Sequence, residues 1–273
     1  MVSQKQIDSF RKDGFLNYGN VLAPRETAEL REGLQRVLDG RSEAKPEAAR
    51  NLLGDSEDVV IQVVNVWEAE PAFRRHLFHP KIVRIVAALM GTDTVRVWHD
   101  QAQIKPPRIG GPTVWHQDHP YWPVIAPADL VSAWVALEDA DPENGCMSMV
   151  RRSHLWGPYH GGTIGNTEDH LPAFDPAFLP EGERVEVVPC PVRAGSVMFH
   201  HCLTWHGAPP NRSDRNRPAI AVHYMPGHTR YEPTGEHLIG HHIEVAPGEL
   251  LTGKSFPTVM ENGVVLEFGV ETK

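Results

Sequence analysis

At Gly91 the texture of the chain changes, and this change limits the possible folds more than any other feature of its 273 residues. Before it, apolar residues recur at helical spacing. Ser3 to Asp13 carries Ile7 and Phe10 on one face, and Pro24 opens "PRETAELREGLQRVLDG", where Leu30, Leu34, Val37 and Leu38 recur before Gly40. "HPKIVRIVAALMG" repeats the pattern with Ile82, Ile85, Val86 and Leu89. After Gly91, short runs rich in Val, Ile and aromatics alternate with Pro, Gly and Asn: "TVRVWHDQAQI", "LVSAWVALED", "VEVVPCPV", "SVMFHH" and "AIAVHYMP". Many short strands with turn chemistry between them point to a sandwich or barrel. Long loops, rather than helices, between the strands disfavour a parallel doubly wound sheet. The expected architecture is mostly β with flanking helices, in a single domain. Residues 1–91 form a mainly helical part, 92–228 the β core and 229–273 a C-terminal extension. "RSEAKPEAARNLLGDSED" reads as a polar surface loop.

Composition narrows the function classes. A formal net charge of -9 argues against nucleic acid, because a phosphate backbone is bound by a basic surface. Three cysteines (Cys146, Cys190, Cys202) without a C-x-x-C pair make no disulfide framework. No apolar run approaches the roughly 20 residues that span a bilayer, and "MVSQKQIDSFRKDGF" has no apolar signal core. The expectation is a cytoplasmic protein, monomer or homodimer, that acts on a small molecule and meets neither nucleic acid nor membrane.

The chemistry concentrates in "WHQDHPYW", residues 115–122. In a strand, residues two apart share a face, so His116 and Asp118 aim together and Gln117 points away. Either a strand carries two satisfied polar groups, or this face begins a metal site. Two histidines and a carboxylate are the facial set of non-haem Fe(II) oxygenases. The third ligand must come from another strand, and His206 in "FHHCLTWHGAPPN" is the candidate. Arg217 follows eleven residues later, in "NRPAIAVHY", where a guanidinium fork fits bidentate capture of a dicarboxylate. A zinc or manganese hydrolase or isomerase could use the same three ligands, but has no need of that arginine.

From about residue 95 to 226 the chain resembles the phytanoyl-CoA hydroxylase family of Fe(II)/2-oxoglutarate-dependent dioxygenases. "QIKPP", "WHQDHPYWPVIAPADLVSAWVALEDADPENGC", "RRSH" and "FHHCLTWHGAPPNRSDRNRPAIAVHY" carry the resemblance. It implies a double-stranded β-helix (jelly-roll, cupin-like) core with the N-terminal helices packed on it. It also implies His116, Asp118 and His206 as iron ligands and Arg217 as the anchor of 2-oxoglutarate. Trp134, Gln101 and Gln103 then line the co-substrate pocket, and Gln62 does so more loosely. With O2 as oxidant and succinate and CO2 as by-products, the implied reaction is hydroxylation of an unactivated C–H bond. Asp118 favours this over halogenation, since related halogenases carry a small residue there. Desaturation, epoxidation and ring closure share the same oxidant. A non-catalytic 2-oxoglutarate- or metabolite-binding jelly roll is the alternative from another class. The chain departs from the family's usual pattern at Arg151-Arg152-Ser153-His154 and at Ala208, where relatives often have serine.

Further residues carry weaker expectations. His119, Tyr121 and Trp122, with Arg230 and Tyr231 after the last core strand, are substrate-pocket candidates. His200, His201 and Cys202 read as structural rather than as a second metal cluster. Lys105, Arg108, Arg151 and Arg152 read as solvated surface charge rather than as anion contacts. The Gly-, Pro- and Asp-rich segment 160–183 is the candidate substrate lid.

Overall fold

The computed structural model describes residues 1–167, 169–175 and 178–269. The helices are α1 (Gln4–Asp13), α2 (Pro24–Leu38), α3 (Val66–Ala69), α4 (Pro71–Leu77) and α5 (Pro80–Met90). Their ends follow from local chemistry. The Ser3 hydroxyl and the Gln6 side chain close a reciprocal capping box on α1, and Gly14 and Gly91 end α1 and α5 in left-handed backbone.

The strands are β1 (Phe15–Asn20), β2 (Ala48–Asn51), β3 (Ile61–Val64), β4 (Val95–Lys105), β5 (Thr113–His116), β6 (Ile125–Ala126), β7 (Val131–Ala136) and β8 (Ser148–Val150). They continue with β9 (Val187–Pro189), β10 (Ser196–His201), β11 (His206–Ala208), β12 (Arg217–Pro226), β13 (Arg230–Tyr231), β14 (Thr258–Glu261) and β15 (Val264–Val265). A major antiparallel sheet runs β1-β10-β7-β12-β4-β14-β15, with the β2–β3 hairpin joined to β4. A minor sheet runs β5-β11-β8-β9, and β13 pairs with β6. The two larger sheets make the jelly roll.

The edges hold strands that the expectation did not include. Among the helices of the first 91 residues lie β1, β2 and β3, and β2 runs through the presumed surface loop. The C-terminal extension likewise returns β14 to the major sheet beside β4. Both misreadings concern strands of four to six residues, too short to show a period.

Period-2 alternation decides what reaches the interior. On β7, Val131, Ala133 and Val135 face the helices, packing with Ile82, Val86, Phe73 and Leu34, whereas Trp134 and Ala136 face inward. On β12, Ile220, Val222 and Tyr224 face the helices, leaving Arg217, Ala219, Ala221 and His223 on the inner face. The buried apolar surface on one side of the sheet therefore fixes which polar residues stand together on the other.

Candidate metal centre

His116 and His206 lie directly opposite each other in the β5–β11 register. Asp118 joins them, but not through strand alternation as expected. The strand ends at His116, Asp118 has helical dihedrals (φ -72, ψ -49), and a single turn follows over His119–Tyr121. The Cys202 carbonyl pins this turn by accepting from the backbone N–H of both Asp118 and His119. Gln117 points away and staples the turn, donating to Gly157 and Leu203 and accepting from the Tyr159 N–H.

The three side chains present ligand atoms that all lie within 4.8 Å of one another. Asp118 Oδ1 is 3.7 Å from His116 Nε2 and 3.6 Å from His206 Nε2. Each imidazole donates its Nδ1–H to a backbone carbonyl, His116 to Val114 at 2.8 Å and His206 to Thr204 at 2.9 Å. Both Nε2 lone pairs therefore face the gap, the arrangement metal-bound histidines require. Burial, then the nearby His116, hold His206 well below its ordinary value, so it is neutral. Burial alone would raise the Asp118 carboxyl, but His206 and the hydrogen bond from His200 hold it well below its ordinary range. One carboxylate and two imidazoles that turn their Nε2 atoms to one gap fit a divalent cation.

The other carboxylate oxygen is held from the major sheet. Ser132 and His200 each donate to Asp118 Oδ2 at 3.0 Å. These residues belong to one cross-strand row, His200 on β10, Ser132 on β7 and His223 on β12. The row continues outward as a single hydrogen-bonded string. Arg50 donates to Gln62 Oε1, Gln62 Nε2 donates to Gln101 Oε1, and Gln101 Nε2 donates to His223 Nε2. His223 Nδ1 then donates to the Ser132 hydroxyl at 2.7 Å, and Ser132 donates to Asp118. Ser132 and His223 are marked in the chain only as polar residues inside otherwise apolar strands. His200 was assigned a structural part, and it holds the carboxylate.

Behind this centre is a narrow pocket lined by Gln101, Gln103, Trp134, Ala208, Arg217 and Ala221, among others. Arg217 is 1% exposed, its Nε and Nη1 have no hydrogen-bond partner, and its guanidinium lies 5.4 Å from the Trp134 ring centroid. Burial pulls it down to about 10, so it stays charged at neutral pH. An unpaired buried cation is costly, and a carboxylate would satisfy it. Thr113 stands opposite Ala208 in register, and its buried hydroxyl in this pocket is also unpartnered. Lys105 is not on the surface as expected. It is wholly buried beside Arg217, donating to the Ala208 and Pro209 carbonyls, and burial and the Arg217 charge push its ammonium well below its ordinary value.

A cavity of about 510 Å³ opens in front of His116 and Asp118. Tyr121 and Trp122 line it, as expected, together with Gln62, Gln101 and Gln103. His119, Arg230 and Tyr231 do not. His119 turns its ring to the Ile125 carbonyl, the exposed Arg230 donates to the Gly248 carbonyl, and Tyr231 packs on the apolar cluster that contains Trp98 and Phe256. The wall comes instead from Arg50, Leu52 and Leu53 on one side and Glu236, His237 and Leu238 on the other. Of segment 160–183, Thr163 lines the cavity, while Phe174, Phe178 and Leu179 pack on Trp115, Trp156 and Trp205. The described part is thus an anchored wall, and its residues 168, 176 and 177 lie outside the described residues.

Paired sheets that aim two imidazoles and a carboxylate at one gap, with a buried guanidinium behind it, are the working parts of an iron- and 2-oxoglutarate-dependent dioxygenase. The family profile for phytanoyl-CoA dioxygenase (PhyH) matches residues 10–219, and the chain belongs to that family. It is 27% identical over 251 residues to the peroxisomal phytanoyl-CoA dioxygenase of Rattus norvegicus, covering 85% of this chain and 70% of that one. It is 31% identical, with a TM-score of 0.79, to the solved structure of the non-heme alpha ketoglutarate dependent carbocyclase SnoK from nogalamycin biosynthesis, covering 95% and 97% of the two chains. The epimerase SnoN, solved with Fe3+, alpha ketoglutarate and nogalamycin RO, is 27% identical with a TM-score of 0.76, covering 93% and 97%.

Proposed function

We propose that this chain oxidises an unactivated C–H bond of a bulky, largely uncharged small molecule, using His116, Asp118 and His206 to hold Fe(II) and Arg217 to hold 2-oxoglutarate. When bound, these two groups and O2 supply the oxidising power and leave succinate and CO2. The chain's own residues supply position and exclusion. Arg217 would hold the distal carboxylate by charge-assisted hydrogen bonds, with the Trp134 ring beside it and the unpartnered Thr113 hydroxyl lining the same pocket. Ser132 and His200 occupy one oxygen of Asp118 and leave the other for the metal. Tyr121, Trp122 and Leu238 present an apolar wall that excludes water from the reacting carbon. The observation that carries this reading is the unpaired, buried Arg217 behind three converging ligand atoms.

The cavity supports the substrate class. Its 510 Å³ lies in the range of drug-sized ligands, and leucines, valines, Tyr121 and Trp122 share its lining with three glutamines and other polar groups. A CoA thioester finds no support from Arg108, Arg151 and Arg152, because each is already paired. Arg108 pairs with Asp214, Arg151 with Asp13 and Glu186, and Arg152 with Glu183. Ring closure or epimerisation in place of hydroxylation is the second reading, favoured by the near full-length likeness to a carbocyclase and an epimerase. All three outcomes share the hydrogen-abstracting step and differ in substrate placement. Incubation with Fe(II), 2-oxoglutarate and a panel of polycyclic and sugar-bearing natural-product intermediates, with succinate and product mass as readouts, tests the reading. A mass gain of one oxygen marks hydroxylation and a loss of two hydrogens ring closure. No succinate above the Asp118→Ala background with any compound would revive the binding-protein alternative.

A further inference from the structure

A second group of metal-ligating side chains lies at the cavity rim, away from the iron ligands. Glu47 precedes β2, whose Arg50 lines the cavity, and His241 and His242 sit in the helical turn Gly240–His242, just after the wall residues Glu236 to Leu238. Their ligand atoms all lie within 4.8 Å of one another. His242 Nε2 is 3.0 Å from Glu47 Oε2, and His241 Nε2 is 3.7 Å from Glu47 Oε1. Ligand atoms around a tetrahedral zinc are about 3.3–3.5 Å apart, so these spacings bracket that geometry.

A second observation points the same way. His241 Nδ1 donates to the Leu238 carbonyl at 3.1 Å, which fixes its tautomer and leaves the Nε2 lone pair facing Glu47. The catalytic-site histidines His116 and His206 are prepared in the same manner. Glu47 is only 16% exposed, which holds its carboxylate in place, while His241 is 59% exposed and leaves an approach for the ion. Glu68 lies near Glu47 and His242. It is half-buried, and its carboxyl is raised by burial and by Glu47 against the lowering effect of His242.

We propose that Glu47, His241 and His242 form a rim site for a zinc-class divalent cation, with water completing the coordination, that fastens the Glu236–Leu238 wall to the Arg50 hairpin. Imidazole and carboxylate donors without thiolate suit Zn2+ and its first-row neighbours rather than Ca2+ or Mg2+. The ion bridges an N-terminal hairpin and a C-terminal segment that enter the cavity from opposite ends of the chain. Its loading therefore stiffens the mouth without touching the reacting atoms.

Equilibrium dialysis of the full chain against micromolar Zn2+, with metal counted per chain, tests this. Wild type is expected to hold two equivalents. His241→Ala/His242→Ala is expected to hold one, and His206→Ala/Asp118→Ala to keep one, which separates the rim site from the iron site. Glu47→Gln, a milder change, should weaken the rim equivalent by about tenfold or more. Circular dichroism of each variant establishes that it is folded. With the rim site filled, hydrogen exchange across residues 236–243 should slow in wild type and not in the histidine variant. One equivalent in wild type, or two retained by the folded His241→Ala/His242→Ala chain, overturns the proposal.

Discussion

The floor of the cavity around Arg217 is made from long, fully paired strands, while its mouth around Arg50 and Leu238 is made from a short hairpin and a segment with little regular structure. On the floor, β4, β7 and β12 run side by side for most of their length, and every inward side chain is placed by an outward one packed on the helices. At the mouth, Leu52 and Leu238 are exposed, and the loop after β2 is gathered by one side chain, Asn51, which donates to the Gly54 and Asp58 carbonyls and accepts from the Leu53 and Val60 N–H groups. The difference teaches a division of labour. The shared part of the chemistry sits where register cannot slip, and the part that must vary from one substrate to another sits where sequence changes cost little stability.

The comparison can be broken at the floor first. Asp118→Ala should abolish turnover and iron retention together, measured as succinate formed and as iron per chain; full activity would remove the centre from consideration. Arg217→Ala should raise the KM for 2-oxoglutarate by on the order of a hundredfold, because it deletes a buried charge-assisted pair. Iron binding should stay near normal, and Arg217→Lys should recover only part. Ser132→Ala leaves Asp118 Oδ2 with one donor fewer, and should cost about 10–100-fold in iron affinity or turnover. A neutral result there would show that His200 alone orients the carboxylate.

Acid separates scaffold from site. His76, buried behind the sheet, is pushed down to about 3 by burial, with the nearby His79 adding to the effect. The unfolded chain takes up that proton near the ordinary value of about 6.5, whereas the folded chain refuses it until far lower pH. Stability from this group is thus complete above pH 6.5 and is lost as pH falls toward 3, by about 2 kcal/mol at pH 5. Urea unfolding of His76→Leu should show a flatter dependence between pH 7 and 5. The smallest expected effect is at the mouth. Leu238→Trp should change the KM for substrate severalfold and leave substrate-free decarboxylation of 2-oxoglutarate within about twofold. If decarboxylation fell as far as for Ser132→Ala, floor and mouth would not be separable.

The same division explains what could be read from the chain. Long strands such as Val95–Lys105 and Arg217–Pro226 announce themselves by apolar runs, and His116, Asp118, His206 and Arg217 stand out by residue type and order. What the reading missed depends on contacts between distant segments. Asp118 reaches the gap through a turn pinned by Cys202, which no strand period describes. Lys105 looked like a surface lysine because nothing local shows that two carbonyls over 100 residues away accept from it. Arg230 and Tyr231 follow the last core strand in sequence, but the chain returns to the cavity only at Glu236, after the turn that pairs β13 with β6.

The string from Arg50 to Asp118 has one further consequence. Each amide and imidazole in it has a single orientation, because each donates one way and accepts the other. A guest that accepts from Arg50 in place of Gln62 Oε1 therefore acts on one end of the string whose other end is Asp118 Oδ2. Arrival at the entrance and the grip on Asp118 are in this way parts of one linkage, much as a latch and its handle are.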